Sequence, residues 1–477
     1  MVAFFFCLLL SAQWSVAQEG VHPQSSTYEW PDDSLVRRKL DQWQDLKFGM
    51  IIHWGLYAVP GIIESWSICS ENWIERDSTI AYDDYKKWYW GLKKDFNPIR
   101  FDPEQWAAAC KGAGMKYLVF TTKHHDGFCM FDTRQTDFSI AKGPFAGNPK
   151  ADVARWVFDA FRKQGFMIGA YFSKPDWHSE YYWWPKYATP DRNYNYDIRK
   201  YTWRWQQFKQ YTYNQLSELM HNYGQVDILW LDGGWVRPGN SVTAEVLSWG
   251  APIPPAGQDI EMPRIARMAR EAQPGLLMVD RTVHGPYENY QTPEQHVPAG
   301  QLDHPWESCM TLANNWGFVP NDRYKSTRKV IHTLIEIVAK GGSLLLGVGP
   351  KPDGTLPTEA VERLAEIGKW MNQNGAAIYG TRPVKDYKQD SLFFTQHKTN
   401  GHRYAILCIP EKGFVPATIH WKNNFPKAGS RMTLLQTGKT VKWSRKEDNI
   451  EVELPAGLLN SERPPALAFE FVATEQP

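Results

Sequence analysis

The chain has 477 residues, which is enough for two or three domains and a large buried core. Its 53 basic and 52 acidic residues give a formal net charge of +1. The sequence has no basic block that would follow a phosphate backbone or an anionic membrane surface. This distribution of charge therefore argues against a nucleic-acid partner.

Aromatic residues make up 14% of the chain and include 23 Trp. One interpretation is a core rich in aromatic side chains. The other is carbohydrate binding, because indole faces stack on the C–H faces of sugar rings and the indole N–H reaches hydroxyl groups. Composition alone does not separate the two.

The N-terminus begins with an apolar stretch over residues 2–10 that is too short to span a bilayer. Ser15, Val16 and Ala17 follow as a cleavage-site pattern. We therefore predict a signal peptide over residues 1–17 and an exported protein, periplasmic or secreted. The stretch lacks the usual Lys or Arg before it, and an uncleaved buried strand is the alternative. No later run is apolar enough to predict a membrane span.

From about residue 45 to 375, apolar strand patterns alternate with helical periodicity. Strands are predicted at residues 49–53, 117–122, 167–172, 226–232, 276–280 and 343–348. Helices are predicted over residues 153–161 before Gly165, over 216–223, over 331–338 with Ser326 as an N-cap, and from Val361 to near Gly375.

Repeated strand-then-helix units predict an α/β fold with a parallel sheet covered by helices. About 330 residues fit a closed (β/α)₈ barrel with insertions better than an open sheet, although only six strands are identified. A doubly wound sheet would need a Gly-rich turn after its first strand, where Trp54, Leu56 and Tyr57 stand. We expect a (β/α)₈-like TIM barrel over residues 26–382.

After residue 383 the pattern changes to short alternating runs separated by turn residues, for example at residues 392–395, 404–409 and 450–454. This predicts an all-β sandwich domain over residues 383–477.

The cysteines beyond the predicted signal are Cys69, Cys110, Cys129, Cys309 and Cys408, an odd number without CxxC spacing. They predict neither a disulfide framework nor a zinc site, and one bridge is left open. The sequence has no Asn-x-Ser/Thr acceptor, which favours bacterial export over a glycosylating pathway.

Asp232 stands at the end of the apolar run VDILWLD and is followed by Gly233 and Gly234. A carboxylate there either caps the next helix or points into the pocket at the barrel mouth. Two glycines start a helix poorly and allow close backbone access, so the pocket is favoured. Asp227, at the start of the same strand, is expected to be structural.

Cleavage of a glycosidic bond needs a second carboxyl group, since one attacks or activates water and the other protonates the leaving oxygen. Glu294 lies in a polar loop after the strand that ends at Asp280 and Arg281. Glu288 in the same loop is the competing candidate, and spacing does not separate them. Either could also be a solvated loop acid.

His53, His124 and His125 come at the ends of the first two predicted strands. Metal binding is one interpretation. Adjacent residues on a strand point to opposite faces, however, so His124 and His125 lack the spacing of two ligands to one metal. Neutral imidazoles bound to sugar hydroxyls are the better account, provided that the strand ends or bulges there.

Five segments together resemble the α-L-fucosidases of glycoside hydrolase family 29. They are KFGMIIHWGLYAVPG, KYLVFTTKHHDGFCMFDT, DILWLDGGW, WESCMTLANNWGF and GGSLLLGVGPKPDG. The resemblance covers nearly the whole chain and follows the family's order. It implies a retaining exo-hydrolase of terminal fucosyl residues with a barrel and a β-sandwich. It also implies no metal or organic cofactor and a fucosylated glycan as substrate.

Carried over onto this chain, the resemblance makes Asp232 the nucleophile and, from the segment TPEQ, favours Glu294 over Glu288 as acid/base. Trp316 would face the methyl group of fucose. The remaining residues that it implies for substrate binding are His53, Glu71, Trp73, His124, His125, Tyr171, Trp230 and Arg281. Glu71 and Trp73 depart from the family's Glu-Trp pair because Asn72 stands between them.

Retention requires the two carboxyl groups at about 5–5.5 Å, whereas inversion leaves room for a water at about 6.5–9.5 Å. We expect the shorter separation. The alternatives are a fucose-binding protein that has lost the chemistry, in which the nucleophile would be missing, and a metal-dependent barrel hydrolase. The sequence does not distinguish between fucosyl linkages, including α-1,3 and α-1,4, and does not indicate the oligomeric state.

Overall fold

The computed structural model describes residues 27–71, 73–254, 256–412, 415–455 and 463–474. The predicted signal peptide lies outside the described residues. Among the helices that are described, none combines the length and apolar character needed to cross a bilayer.

A curved sheet of seven parallel strands forms the centre of the larger part of the chain. The strands are β1 (Phe48–Ile52), β2 (Tyr117–Lys123), β3 (Met167–Ser173), β4 (Ile228–Asp232), β5 (Leu277–Asp280), β6 (Glu307–Thr311) and β7 (Ser343–Val348). Their order is β5-β4-β3-β2-β1-β7-β6, so β1 pairs with both β2 and β7 and the sheet curls round as in a TIM barrel.

The gap between β5 and β6 is filled by an irregular segment, residues 288–295, in place of an eighth regular strand. Its Asn289 N–H donates to the Met278 carbonyl at 2.8 Å on the β5 side. On the other side, the Glu307 N–H donates to the Gln291 carbonyl at 2.8 Å, and the Cys309 N–H donates to that of Pro293 at 3.1 Å. The segment thereby pairs backbone groups on both edge strands. The predicted (β/α)₈-like class is confirmed, with seven regular strands among the described residues.

Six strands match the prediction to within two residues, and β6 was missed. Its sequence, ESCMT, is short and carries buried Glu307 and Ser308, so the apolar run that marks a core strand is interrupted.

Helices surround the sheet: α1 (Ser34–Leu46), α2 (Tyr82–Gly91), α3 (Pro103–Gly112), α4 (Val153–Lys163), α5 (Thr202–Asn222), α6 (Ala244–Ser248), α7 (Met262–Ala272), α8 (Thr327–Ala339) and α9 (Thr358–Asn374). The four predicted helices correspond to α4, α5, α8 and α9. Ser326 caps α8 as predicted, because its hydroxyl accepts from the Lys329 N–H at 3.2 Å.

Within its described residues, the C-terminal part contains nine strands: β8 (Thr381–Gln389), β9 (Leu392–His397), β10 (His402–Cys408), β11 (Thr418–Lys422), β12 (Met432–Leu434), β13 (Lys439–Val441), β14 (Trp443–Lys446), β15 (Asn449–Glu453) and β16 (Ala466–Val472). They form a six-stranded and a three-stranded antiparallel sheet around a core that includes Phe394, Trp421 and Phe469. This is the predicted sandwich, and its first strand begins at Thr381. The exact domain boundaries stay predictions.

The described cysteines are free and buried. The bridge that the sequence left open is therefore not formed among them.

Gly49 in β1 allows Tyr117 of β2 to fill the barrel interior. A Cβ at residue 49 would lie 2.4 Å from the Tyr117 ring. We expect Gly49→Ala to lower the free energy of unfolding by about 1–3 kcal/mol, as overpacking of a core does. Thermal or urea unfolding measures this. Gly91→Ala is the control, since a Cβ there meets no atom within 4 Å, and an equal loss in both variants would contradict the packing argument.

Candidate active site

A cavity lies where the parallel strands end. Its empty volume, including the open mouth, is about 680 Å³. Of the predicted site residues, all but Glu71 and Glu288 line it. The lining residues outside the predicted set of site residues are Ile51, Glu64, Trp66, Arg192, Trp235 and Cys309.

Arg281, directly after β5, joins the two candidate catalytic carboxylates. Its Nη1 donates to Asp232 Oδ1 at 2.8 Å, and its Nη2 donates to Glu294 Oε2 at 2.9 Å. The guanidinium lies over the Trp230 ring, with Cζ 4.4 Å from the ring centroid. Burial alone would lower the pKa of Arg281, but the acidic groups that face it, Asp232 foremost, together outweigh burial and raise the pKa, so the cation persists.

Asp232 is held in place from several sides. The Tyr171 hydroxyl donates to its Oδ2 at 2.6 Å, and the Gly233 N–H donates to its Oδ1 at 2.8 Å. Gly233 has φ of +91°, and a Cβ there would lie 2.4 Å from Pro175, so this turn requires glycine. Burial and the Asp232 charge raise the pKa of Tyr171, which keeps the phenol protonated as a donor.

Glu294 and Glu288 occupy different environments. Glu294 lies in the cavity and accepts from the Trp316 indole N–H at 3.1 Å, in addition to Arg281. Glu288 is buried outside the cavity, where it accepts from the Thr282 N–H at 2.9 Å and lies 2.6 Å from His284 Nδ1. Glu288 therefore stabilises its own loop, and only Glu294 is positioned to meet a ligand.

For both His124 and His125 to reach one ligand, the strand must end or bulge there, and the structure shows this. β2 ends at Lys123 after a register shift between Thr121 and Lys123, so the rings of His124 and His125 lie 4.3 Å apart. His53 lies 5.6 Å from the His124 ring. The pair therefore shares one cavity.

These imidazoles are neutral because they are buried. Burial lowers the pKa of His124 to about 4 and lowers the pKa values of His53 and His125 well below their usual range. A neutral imidazole offers one donor and one acceptor, which suits a hydroxyl group.

His124, His125 and Asp232 could also be considered as metal ligands, since one atom of each lies within 4.8 Å of the others. Arg281, however, already places a buried cation 2.8 Å from the Asp232 carboxylate. A second cation would be repelled there. The charge of this cluster favours a neutral ligand.

The predicted pair of Glu71 and Trp73 is only half confirmed as part of the cavity wall. Glu71 does not line the cavity but binds Arg192, which does. Trp73 lines it as predicted, together with Glu64 and Trp66, and Glu64 accepts from the Gly317 N–H at 2.8 Å. Burial raises the pKa of Glu64. The sequence ESW, close after the first strand, was the signal that could have indicated Glu64 and Trp66.

Two carboxylates, neutral histidines and indole walls at a barrel mouth define a glycosidase-type site. The α-L-fucosidase family model matches residues 15–376, and the chain belongs to this family, glycoside hydrolase family 29.

Relatives agree along most of the chain. Plasma α-L-fucosidase of Homo sapiens is 28% identical over 443 residues, covering 89% of this chain and 87% of its own. The structure of α-L-fucosidase isoenzyme 1 from Paenibacillus thiaminolyticus is 30% identical, covers 93% of this chain and 100% of its own, and has a TM-score of 0.73. A family 29 α-L-fucosidase from Bacteroides thetaiotaomicron is 25% identical, covers 94% of this chain and 97% of its own, and has a TM-score of 0.70.

The buried histidines predict how stability depends on pH. The pKa of His124 falls from 6.5 to about 4 on folding. The free energy of unfolding is therefore highest above pH 6.5 and decreases as the pH falls toward 4, because the unfolded chain binds a proton there that the folded protein does not. For His124 alone the loss is on the order of 3 kcal/mol. Urea unfolding at a series of pH values measures it. His124→Asn should flatten the slope, whereas His420→Asn, at a half-exposed site, should not. An unchanged slope in His124→Asn would contradict a buried neutral imidazole.

Proposed function

We propose that this protein is a retaining exo-α-L-fucosidase that hydrolyses terminal α-L-fucosyl residues of oligosaccharides or glycoconjugates. The observation that carries the proposal is the single Arg281 guanidinium shared by Asp232 and Glu294 in the cavity. One guanidinium spans only a short gap, which supports the close carboxyl pair that retention needs. In support, one family 29 structure, from Bacteroides thetaiotaomicron and 25% identical, is of a trapped covalent intermediate with 2-fluoro-fucosyl fluoride.

In the first step, Asp232 attacks the anomeric carbon while protonated Glu294 gives its proton to the departing oxygen. In the second, Glu294 accepts a proton from water, which opens the ester and releases fucose. Arg281 pairs with ionised Asp232 before the first step. When Asp232 becomes an ester, Glu294 has just become a carboxylate, so Arg281 still faces one negative charge. The guanidinium thereby stabilises each carboxylate when it is ionised.

The remaining residues would bind the sugar. His53, His124 and His125 exchange hydrogen bonds with ring hydroxyls, and Glu64 and Trp73 add a carboxylate and an indole ring at the wall. Trp316 offers an apolar ring surface, 5.0 Å from His53, to the methyl group. Tyr171 and Trp230 support the Asp232 side of the cavity, where their rings lie 5.2 Å apart.

Experiments distinguish the retaining fucosidase from two alternative functions. A fucose-binding protein without catalysis would bind fucose and leave fucosides intact. A metal-dependent hydrolase would lose activity with a chelator and regain it with zinc. The paired Asp232 and Glu294 favour the retaining mechanism over both.

We also propose that the protein is exported, as periplasmic or secreted, on the basis of the sequence pattern in residues 1–17. Its linkage preference, including cleavage of branched α-1,3 and α-1,4 fucosides, is best tested by product analysis on a panel of fucosylated oligosaccharides.

Asp232→Asn should reduce turnover of an aryl α-L-fucoside by at least about 10³-fold, because an amide does not act as the nucleophile. Circular dichroism should show an unchanged fold. Proton NMR of the sugar freshly released by the unaltered protein should show the α-anomer. An initial β-anomer would end the proposal of retention.

Glu294→Ala should slow natural glycosides far more than activated aryl fucosides, because a good leaving group needs little protonation. Azide should restore turnover of the aryl substrate in this variant by forming fucosyl azide. Glu288→Ala is the matched control from the same loop, and any loss there should be insensitive to azide. Rescue of Glu288→Ala alone would reverse the assignment.

A further inference from the structure

Arg192 belongs to the segment between β3 and α5, residues 174–201, which crosses the mouth of the barrel. Its Nε donates to Glu71 Oε1 at 2.6 Å, and its Nη2 donates to Glu71 Oε2. Glu71 also accepts from the Trp73 indole N–H at 2.9 Å. This two-point pairing fixes the plane of the guanidinium.

The guanidinium lies between two indoles of the cavity wall. Its Cζ is 4.8 Å from the Trp66 ring centroid and 5.0 Å from that of Trp235. Both indoles also contact the His125 ring, at 5.2 and 5.1 Å. Arg192 is therefore built into the same wall as His125, whose Nε2 lies 3.8 Å from Asp232.

One part of Arg192 has no partner in the described residues. Its Nη1 is buried and makes no hydrogen bond, while the side chain as a whole lines the cavity. An unpaired buried N–H is costly, and such groups persist where a ligand completes them.

The charge decides the class of ligand. Glu71 neutralises Arg192, and ionised Asp232 already neutralises Arg281. An anionic group would therefore meet no uncompensated cation in this wall. A neutral hydroxyl oxygen can accept from Nη1 without burying further charge.

We propose that Arg192 donates a hydrogen bond from Nη1 to a ring hydroxyl of the bound fucosyl group, and that Glu71 acts as a positioning residue for it. This rests on the proposed function and adds a specificity determinant from the β3–α5 segment. The ring belongs to the fucosyl group and not to the next sugar, because the leaving oxygen must face Glu294, which binds Trp316 and Arg281. The wall of Trp66 and Trp235 lies against His125.

The test compares 4-nitrophenyl α-L-fucoside with its 2-, 3- and 4-deoxy analogues, using the unaltered protein and Arg192→Met. The Met side chain keeps an apolar stem between the two indoles and removes the donor. In the unaltered protein, loss of the hydroxyl that faces Arg192 should lower kcat/KM by about 10–100-fold. In Arg192→Met, the parent substrate should lose a similar factor and deletion of that hydroxyl should cost little more. The other deletions should cost the same in both proteins.

Arg204→Met is the matched control. Arg204 is also buried, with Cζ 4.0 Å from the Trp184 ring centroid, but it does not line the cavity. It should leave kcat/KM for all four substrates unchanged. If Arg192→Met does not fold, Arg192→Lys serves, because it keeps the charge and loses the two-point pairing with Glu71.

Equal costs of every deletion in the unaltered protein and the Arg192 variant would overturn the proposal. So would an Arg192 effect that appears only with oligosaccharides, since the hydroxyl would then belong to the next sugar. If the unaltered protein hydrolyses no fucoside, the proposed function fails separately. Calorimetric titration with fucose and its 2-, 3- and 4-deoxy forms then still tests whether Arg192 recognises one hydroxyl.

Discussion

The Arg281 guanidinium, buried between Asp232 and Glu294, is the interaction on which the site depends. It links Asp232, at the end of β4, to Glu294 in an irregular segment. Regular strand pairing would not bring these two carboxyl groups so close together. Residues 288–295 stand in place of an eighth strand, and their contact with Arg281 fixes Glu294 across from Asp232. The gap in the barrel is thus what allows a loop carboxylate to approach a strand-end carboxylate.

The histidines are neutral because they are buried in the same wall as this ion pair. A low-dielectric wall disfavours every additional charge, which is why the pKa values of His53, His124 and His125 are lowered by burial. The same wall strengthens hydrogen bonds to neutral hydroxyls, because water does not compete for them. The site therefore combines one balanced charge cluster with neutral donors and acceptors, and this suits an uncharged sugar.

The site residues that could be predicted from the sequence pattern are those at the ends of strands. His53, His124 and Asp232 lie at or directly after the ends of β1, β2 and β4, and parallel strands bring their ends to one face of the barrel. Arg281 was assigned to the site by family resemblance. Arg192 could not be predicted in this way, because its position depends on a contact with Glu71, distant in sequence, between irregular segments. The choice of Glu294 over Glu288 depended on family resemblance, since spacing within a loop does not determine which side chain turns inward.

The missed strand β6 shows the same limit and has a functional reason. Glu307 breaks the apolar pattern because it lies in the barrel interior, where it accepts from the Tyr117 hydroxyl at 2.7 Å and the Trp230 indole at 3.2 Å. Burial raises the pKa of Glu307 to about 7. Trp230 in turn lies under Arg281. A buried carboxylate below the floor of the site thus orients the indole that supports the guanidinium. A strand made only of apolar residues would satisfy the pattern of a core strand but would leave Trp230 without its acceptor.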